Sequence, residues 1–344
     1  MSVAATSAVT LNDDYAELRR IIKAAGLLED QRLYYTIKLA SGLAMLAASV
    51  VIALVATHPG ILLADAVFMA FASTQLALLA HDIIHRQAFR GRSENAITRL
   101  VVGNLLLGLS YSWWKQKHNQ HHSNPNHIDK DPDIQLPMVV FSPEKLAATP
   151  RWLRPVIAFQ AIILIILFPL QALLMRATSI HHLTRQQAPM RWLQLGLMAA
   201  HVALYGVFLF LIGGWVMALA FATVHQLLFG LYNSSVFASN HKGMPLTDDG
   251  KRLDFFREQV MTARDVDAHR MTDFWYGGLN YQIEHHLFPT MPRNNFPKAK
   301  PIIQQFCAER GVAFHSTSLA ESYRESFGHL HRIGAAFRGG GAEA

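Results

Sequence analysis

Two apolar runs, residues 34–57 (YYTIKLASGLAMLAASVVIALVAT) and 61–80 (ILLADAVFMAFASTQLALLA), stand almost back to back in the chain. As a helix, each is long enough to span the roughly 30 Å hydrocarbon core of a bilayer. Lipid offers the backbone no hydrogen bonds, so segments of this kind must satisfy their own amides as helices. Further apolar stretches follow at 156–175, 193–212 and 215–238. With 51% hydrophobic and 16% charged residues among 344, the chain is expected to be an all-α integral membrane protein. The N-terminus carries no short apolar core with a cleavage site, so the first span is expected to insert uncleaved.

Charge along the loops sets the expected orientation. His58–Gly60 and Gly213–Gly214 contain no Lys or Arg, while Arg19, Arg20, Lys23 and Arg32 precede the first span. Arg86, Arg90, Arg92, Arg99, Lys115 and Lys117 follow the second span, and Arg176, Arg185 and Arg191 lie between later ones. The positive-inside rule then puts both termini and every histidine cluster in the cytoplasm; a bacterial-type cell membrane is the expected location. Five crossings would separate the last cluster from the first two. One stretch must therefore fail to cross, and 156–175 is the choice, because it contains Pro169 and is flanked by Arg151, Arg154 and Arg176. The expectation is four spans (34–57, 61–80, 193–212, 215–238) and one interfacial or re-entrant segment.

Three parts follow from this: a cytoplasmic amphipathic segment 1–33, a membrane-embedded domain 34–300 and a cytoplasmic C-terminal segment 301–344. Residues 10–28 are expected to form a surface-lying helix capped by Asn12 or Asp13. The last residues, RGGGAEA, are expected to be a disordered tail. The net charge of +7 suits a face against anionic lipid headgroups, and no nucleic-acid motif is present. Cys307 is the only cysteine, which excludes an intramolecular disulfide and cysteine-based zinc or iron–sulfur sites.

The chemistry lies in histidine clusters beside these apolar runs. HDIIH carries His81 and His85, HNQHH carries His118, His121 and His122, and QIEHH carries Gln282, His285 and His286. The last two share offsets of zero, three and four, which on a helix bring side chains to one face. Neutral imidazole is a common ligand for iron, zinc and copper, so the clusters point to a metal site at a membrane surface. HDIIH alone is weak, since two interfacial histidines satisfied by water explain it equally well. HNQHH is stronger, preceded by Trp113 and Trp114 as at a membrane interface. Asp129, Asp131 and Asp133 behind it could fix ligand tautomers, or be only a solvated loop. Gln282 stands where His118 stands in the earlier cluster and offers only a weak or water-bridged ligand. Glu284 is expected to be an outer acceptor.

Lone histidines are read more plainly. His127 is expected in a loop, and His201 and His225 as core hydrogen-bonding residues rather than haem ligands. His241 alone would have an ordinary structural role. His58-Pro59-Gly60 faintly matches part of a cytochrome motif but sits in an outer loop.

With HDIIH, HNQHH and QIEHH in order and apolar segments between them, the chain resembles the membrane-bound fatty acid desaturase family over roughly residues 60–300. DPDIQ and GGLNYQIEHHLFP are similar to the acyl-lipid and front-end branch, where glutamine opens the third cluster. The resemblance implies that His241 completes the metal site. One departure stands out: many front-end members carry a fused cytochrome domain, for which this chain is expected to have no room, so its electrons are expected from a separate ferredoxin, cytochrome or flavin reductase.

Breaking an unactivated C–H bond needs oxygen activation by a redox metal, since no acid or base side chain can deprotonate such a carbon. The implied function is an oxygen-dependent desaturase placing a C=C bond in a long acyl chain, carried on lipid or coenzyme A. Two iron ions and dioxygen are the expected cofactor and co-substrate. His81, His85, His118, His121, His122, His241, His285 and His286 are the expected ligands, with Gln282 weaker or water-mediated. Trp113, Trp114, Trp275 and Tyr276 could line a substrate tunnel or simply anchor in the interface. The alternatives are a related lipid hydroxylase, a zinc membrane hydrolase and a haem-binding or transport protein.

Overall fold

The computed structural model describes residues 13–250 and 253–338. Along the chain, helix α1 covers Asp13–Ala24, α2 Arg32–Val55, α3 Pro59–Ile84 and α4 Arg92–Arg99, followed by a π-helical stretch at Leu100–Leu106. Then come α5 (Tyr111–Ser123), α6 (Gln160–Leu167), α7 (Gln171–Arg185), α8 (Arg191–Leu211) and α9 (Trp215–Ala238). Beyond them lie α10 (Phe255–Met261), strand β1 (Asp265–Val266), α11 (Arg270–Tyr276) and α12 (Gln282–Leu287). The chain closes with α13 (Phe296–Glu309), strand β2 (Ser316–Thr317) and α14 (Leu319–Gly334). Asn12, expected as a cap, and the tail beyond Arg338 lie outside the described residues.

Five helical segments among the described residues are long and apolar enough to cross a membrane: α2, α3, α6–α7 taken together, α8 and α9. Their outer surfaces are apolar, with Phe210, Val202, Leu204 and Val216 exposed, as lipid contact requires and water does not tolerate. The protein is an integral membrane protein. The third apolar segment runs over Gln160–Arg185, ten residues further than 156–175. It is interrupted at Phe168–Leu170, where Pro169 supplies no amide hydrogen.

The chain divides into two compact units. The first comprises Asp30–Lys117 and Leu167–Ser235, and thus α2, α3, α4 and α7–α9. Its α2–α3 turn is a sequence-coded cap: the His58 ring accepts the Gly60 amide at 3.1 Å, and Pro59 occupies the first helical turn, where no amide is needed. The two helices then pack closely, since a Cβ on Gly42 would come within 2.7 Å of Leu76. At the Pro169 break, α9 makes good the lost ladder. Ser234 donates to the Phe168 carbonyl at 3.1 Å, and Gly230 leaves room for the Pro169 carbonyl.

The second unit takes the chain through Glu29, His118–Ile166 and everything from Val236. Helix α1 belongs to its core rather than lying on a surface. Leu18 and Ile22, four residues apart, are fully buried against Phe256, Val260, Leu287 and Phe306. Burial of such side chains contributes about 1.5–3 kcal/mol each, which outweighs what a loosely attached amphipathic helix would gain. Arg310 adds ion pairs to Asp14 and Glu17. The parallel pair β1–β2 aligns Asp265 with Ser316 and ties α14 to this core.

Candidate metal centre

In the first unit, α3 does not stop with its apolar run but continues through HDII, with His85 as its cap. Both histidines are buried, their rings 4.8 Å apart, and Asp82 Oδ1 lies 3.3 Å from His81 Nδ1.

The second unit gathers the other clusters. Helix α5 presents His118, His121 and His122, and the short α12 presents His285 and His286, each pair or triplet on one face as the spacing predicts. His122 stacks on His286 at 4.2 Å between centroids and meets His285 edge-on at 4.7 Å. His118 and His122 bring their Nε2 atoms to 3.1 Å. His241, in the turn after α9, brings its Nε2 to 3.3 Å from that of His121. The ligand atoms of His121, His241 and His286 all lie within 4.8 Å of one another.

What makes this crowd of rings a candidate metal site is the state of each opposite nitrogen. His121 Nδ1 faces both oxygens of the buried Asp131 at 3.0 Å. That carboxylate is itself fixed by the amides of Asn126, at 2.7 Å, and Asp133, at 2.9 Å. His286 Nδ1 faces the side-chain oxygen of Gln259 at 2.8 Å, and His241 Nδ1 the Thr262 carbonyl at 3.0 Å. Each partner is an acceptor, so each ring donates from Nδ1 and carries its lone pair on Nε2. Three lone pairs then point into one buried space. His286 Nε2 has no hydrogen-bond partner there. Burial, reinforced by the neighbouring histidines, holds His241 and His286 well below the usual imidazole range, which keeps them in the neutral, ligating form. Imidazoles without thiolate suit a divalent transition metal.

Gln282 lies between Asn240 and His241. Asn240 must turn its NH2 to the Leu279 carbonyl at 3.0 Å, and the same NH2 donates to the Gln282 oxygen at 2.8 Å. The Gln282 nitrogen is therefore the atom that faces His241, at 2.9 Å. Glu284, expected as an outer acceptor, makes no hydrogen bond to a histidine among the described residues. It lies buried beside Asp265, and burial together with that carboxylate raises it well above the usual range. Asp265 accepts the Ile283 amide at 3.0 Å and pairs with Lys300 at 3.0 Å, bracing the first turn of α12.

Of the three aspartates after HNQHH, Asp131 is the one that meets His121 Nδ1 at hydrogen-bond distance. Asp133 stays 3.7 Å from His121 Nδ1, and Asp129 pairs with Lys145 at the surface. His127 bridges loops through Asp249. His225 spends both nitrogens on Tyr205 and Ser73, and His201 bonds the Leu105 carbonyl, so neither is arranged for haem. Tyr276 is buried and bonded to Ser239. Residues 259–266 carry Gln259, Thr262 and Asp265, which support HNQHH, QIEHH and the separate His241, and no spacing rule announces them. A backbone carbonyl such as that of Thr262 has no sequence signature at all.

A sequence model of the fatty acid desaturase family matches residues 56–318 of this chain. The chain belongs to the fatty acid desaturase family. It is 34% identical to an acyl-lipid (9-3)-desaturase of Physcomitrium patens over 89% of its own length and 60% of that protein's. It is 29% identical to a Delta(6)-fatty-acid desaturase of Caenorhabditis elegans, covering 93% of this chain and 75% of the relative. A Delta(8)-fatty-acid desaturase of Euglena gracilis is 30% identical, over 88% and 74%. The chain therefore spans three-fifths to three-quarters of the length of these three relatives.

Proposed function

We propose that the protein desaturates long fatty acyl chains with dioxygen, at a centre of two irons held by His81, His85, His118, His121, His122, His241, His285 and His286. The observation that carries this reading is the convergence of the His121, His241 and His286 lone pairs, each set by an acceptor on the far side of its ring. The relatives are named for desaturation, one of them acyl-lipid, which favours an acyl-lipid substrate over the coenzyme A ester.

Removing two hydrogens from adjacent carbons consumes one dioxygen, two external electrons and two protons, and yields the alkene and two waters. Iron supplies the oxygen activation that no side chain here can provide. The protein's own groups do the rest. Asp131, Gln259 and the Thr262 carbonyl hold the rings in the ligating tautomer. Gln282, whose oxygen accepts from Asn240, is a weaker or water-mediated ligand. The electrons come from a donor of the ferredoxin, cytochrome or flavin reductase class. By the positive-inside rule, four segments cross, α6–α7 lies in the interface or re-enters, and the termini and histidines face the cytoplasm.

The test is a fatty-acid profile, by gas chromatography and mass spectrometry, of a host expressing the protein beside its His122→Ala variant, with a reductase co-expressed. A new unsaturated acid formed only by the unmodified chain is expected. A hydroxylated acid would mark the enzyme as a hydroxylase instead. The same profile from both chains would remove the histidine centre from the chemistry.

A further inference from the structure

His241 differs from the other proposed ligands in having no helix beneath it. The paired histidines of α5 and α12 inherit their geometry from a helical backbone, whereas His241 lies in the turn after α9 and must be held by tertiary contacts. Those contacts lead outward to the C-terminal helix. The Arg264 amide donates to the Asn240 carbonyl at 3.0 Å, just before His241. The Arg264 guanidinium, wholly buried, donates to the Lys242 carbonyl just after it and ion-pairs with Glu325 of α14. It also reaches the Ser322 carbonyl at 3.3 Å. The Ser326 hydroxyl donates to the same Lys242 carbonyl at 3.1 Å. Gly243 adopts φ +85°, and a Cβ there would sit 3.0 Å from the Glu325 carbonyl, so helix and turn touch along their backbones. His315 faces Glu325 from the other side at 3.0 Å.

We infer that Arg264 and Glu325 are positioning residues for His241, and that α14, which lies outside the residues matched by the family model, forms part of the metal centre's scaffold. This rests on the proposed metal centre. Arg264 is the largest fully buried side chain among the described residues, a costly choice for mere packing because a buried guanidinium needs its ion pair. Its use is that it grips both sides of His241 at once, by its own amide and by its side chain. Losing Glu325 loosens the guanidinium, the Lys242 carbonyl and with them the turn. The ring of His241 then swings relative to His121 and His286.

The test uses the full-length protein in detergent, stripped of metal and titrated with cobalt(II), whose visible d–d spectrum reports ligand geometry. Glu325→Gln keeps the size of the side chain and removes its charge. It should weaken binding at one of the cobalt sites roughly 10–100-fold, the range usual for supports behind a metal ligand, and alter that site's spectrum. Ser326→Ala, which removes only one donor to Lys242, should give a smaller loss in the same site and keeps the test decisive if the first variant does not fold. Leu330→Ala is the control. It loosens α14 against Phe141 and Ala161 without touching Arg264, and should lower the melting temperature while leaving the cobalt spectrum as in the parent. Unchanged cobalt affinity and spectrum in Glu325→Gln or Ser326→Ala would overturn the inference, as would identical spectral changes in Leu330→Ala. A parent protein that binds no cobalt would instead overturn the metal centre on which the inference depends.

Discussion

At the scale of single residues, protonation decides what the centre can hold. Burial first, and neighbouring histidines second, push His241 and His286 well below the ordinary imidazole range. In the unfolded chain the same groups titrate near 6.5, so on acidification the unfolded state takes up protons first. Stability from these neutral rings is therefore fully present above about pH 6.5 and is lost as pH falls through their folded values. Thermal unfolding of the metal-free protein should be flat from about pH 8 to about pH 7 and then fall. A melting temperature that rises on acidification would show that the rings are charged in the folded state. The histidine clusters were legible because the spacing of HNQHH and QIEHH is a helical spacing, and α5 and α12 realise it. Gln259 and Thr262 were not, because their role is created by folding and not by local pattern. The surroundings of Glu284 are hidden for a related reason: Asp265, the carboxylate beside it, comes from another segment of the chain.

At the scale of elements, apolar length places α2, α3, α8 and α9 to within a few residues, while the segment that breaks at Pro169 runs ten residues beyond its apolar stretch. Sequence could not show how that break is tolerated. Ser234 and Gly230 on α9 meet the carbonyls of Phe168 and Pro169, a contact between segments some sixty residues apart. A Cβ at position 230 would lie 2.1 Å from the Pro169 carbonyl oxygen, and backbone cannot yield as a side chain can. Gly230→Ala should thus cost about 1–3 kcal/mol, the usual penalty for overpacking, seen as a lower melting temperature in detergent. A variant as stable as the parent would mean that α9 and the break are not so closely packed. Helix α1 was legible as amphipathic, but whether its apolar stripe meets lipid or protein is not a property of the stripe. Leu18 and Ile22 meet Phe256 and Leu287.

For the whole molecule, two matters join: which side of the membrane the centre faces, and what it makes. If four segments cross, a cysteine placed at Thr57 reacts with an impermeant maleimide from outside intact cells, and one at the exposed Lys298, beyond α9, only after the cells are opened. Cys307 is buried and interferes little. Labelling of both positions from outside would refute the proposed orientation. The most direct measurement of function is turnover of purified, iron-loaded protein in lipid nanodiscs with an acyl-lipid, a reductase and ¹⁸O₂. Desaturation predicts a new double bond that requires both oxygen and reductant, with the heavy isotope recovered in water and none in the lipid. Heavy oxygen in the lipid product, or product formed without dioxygen, would contradict it.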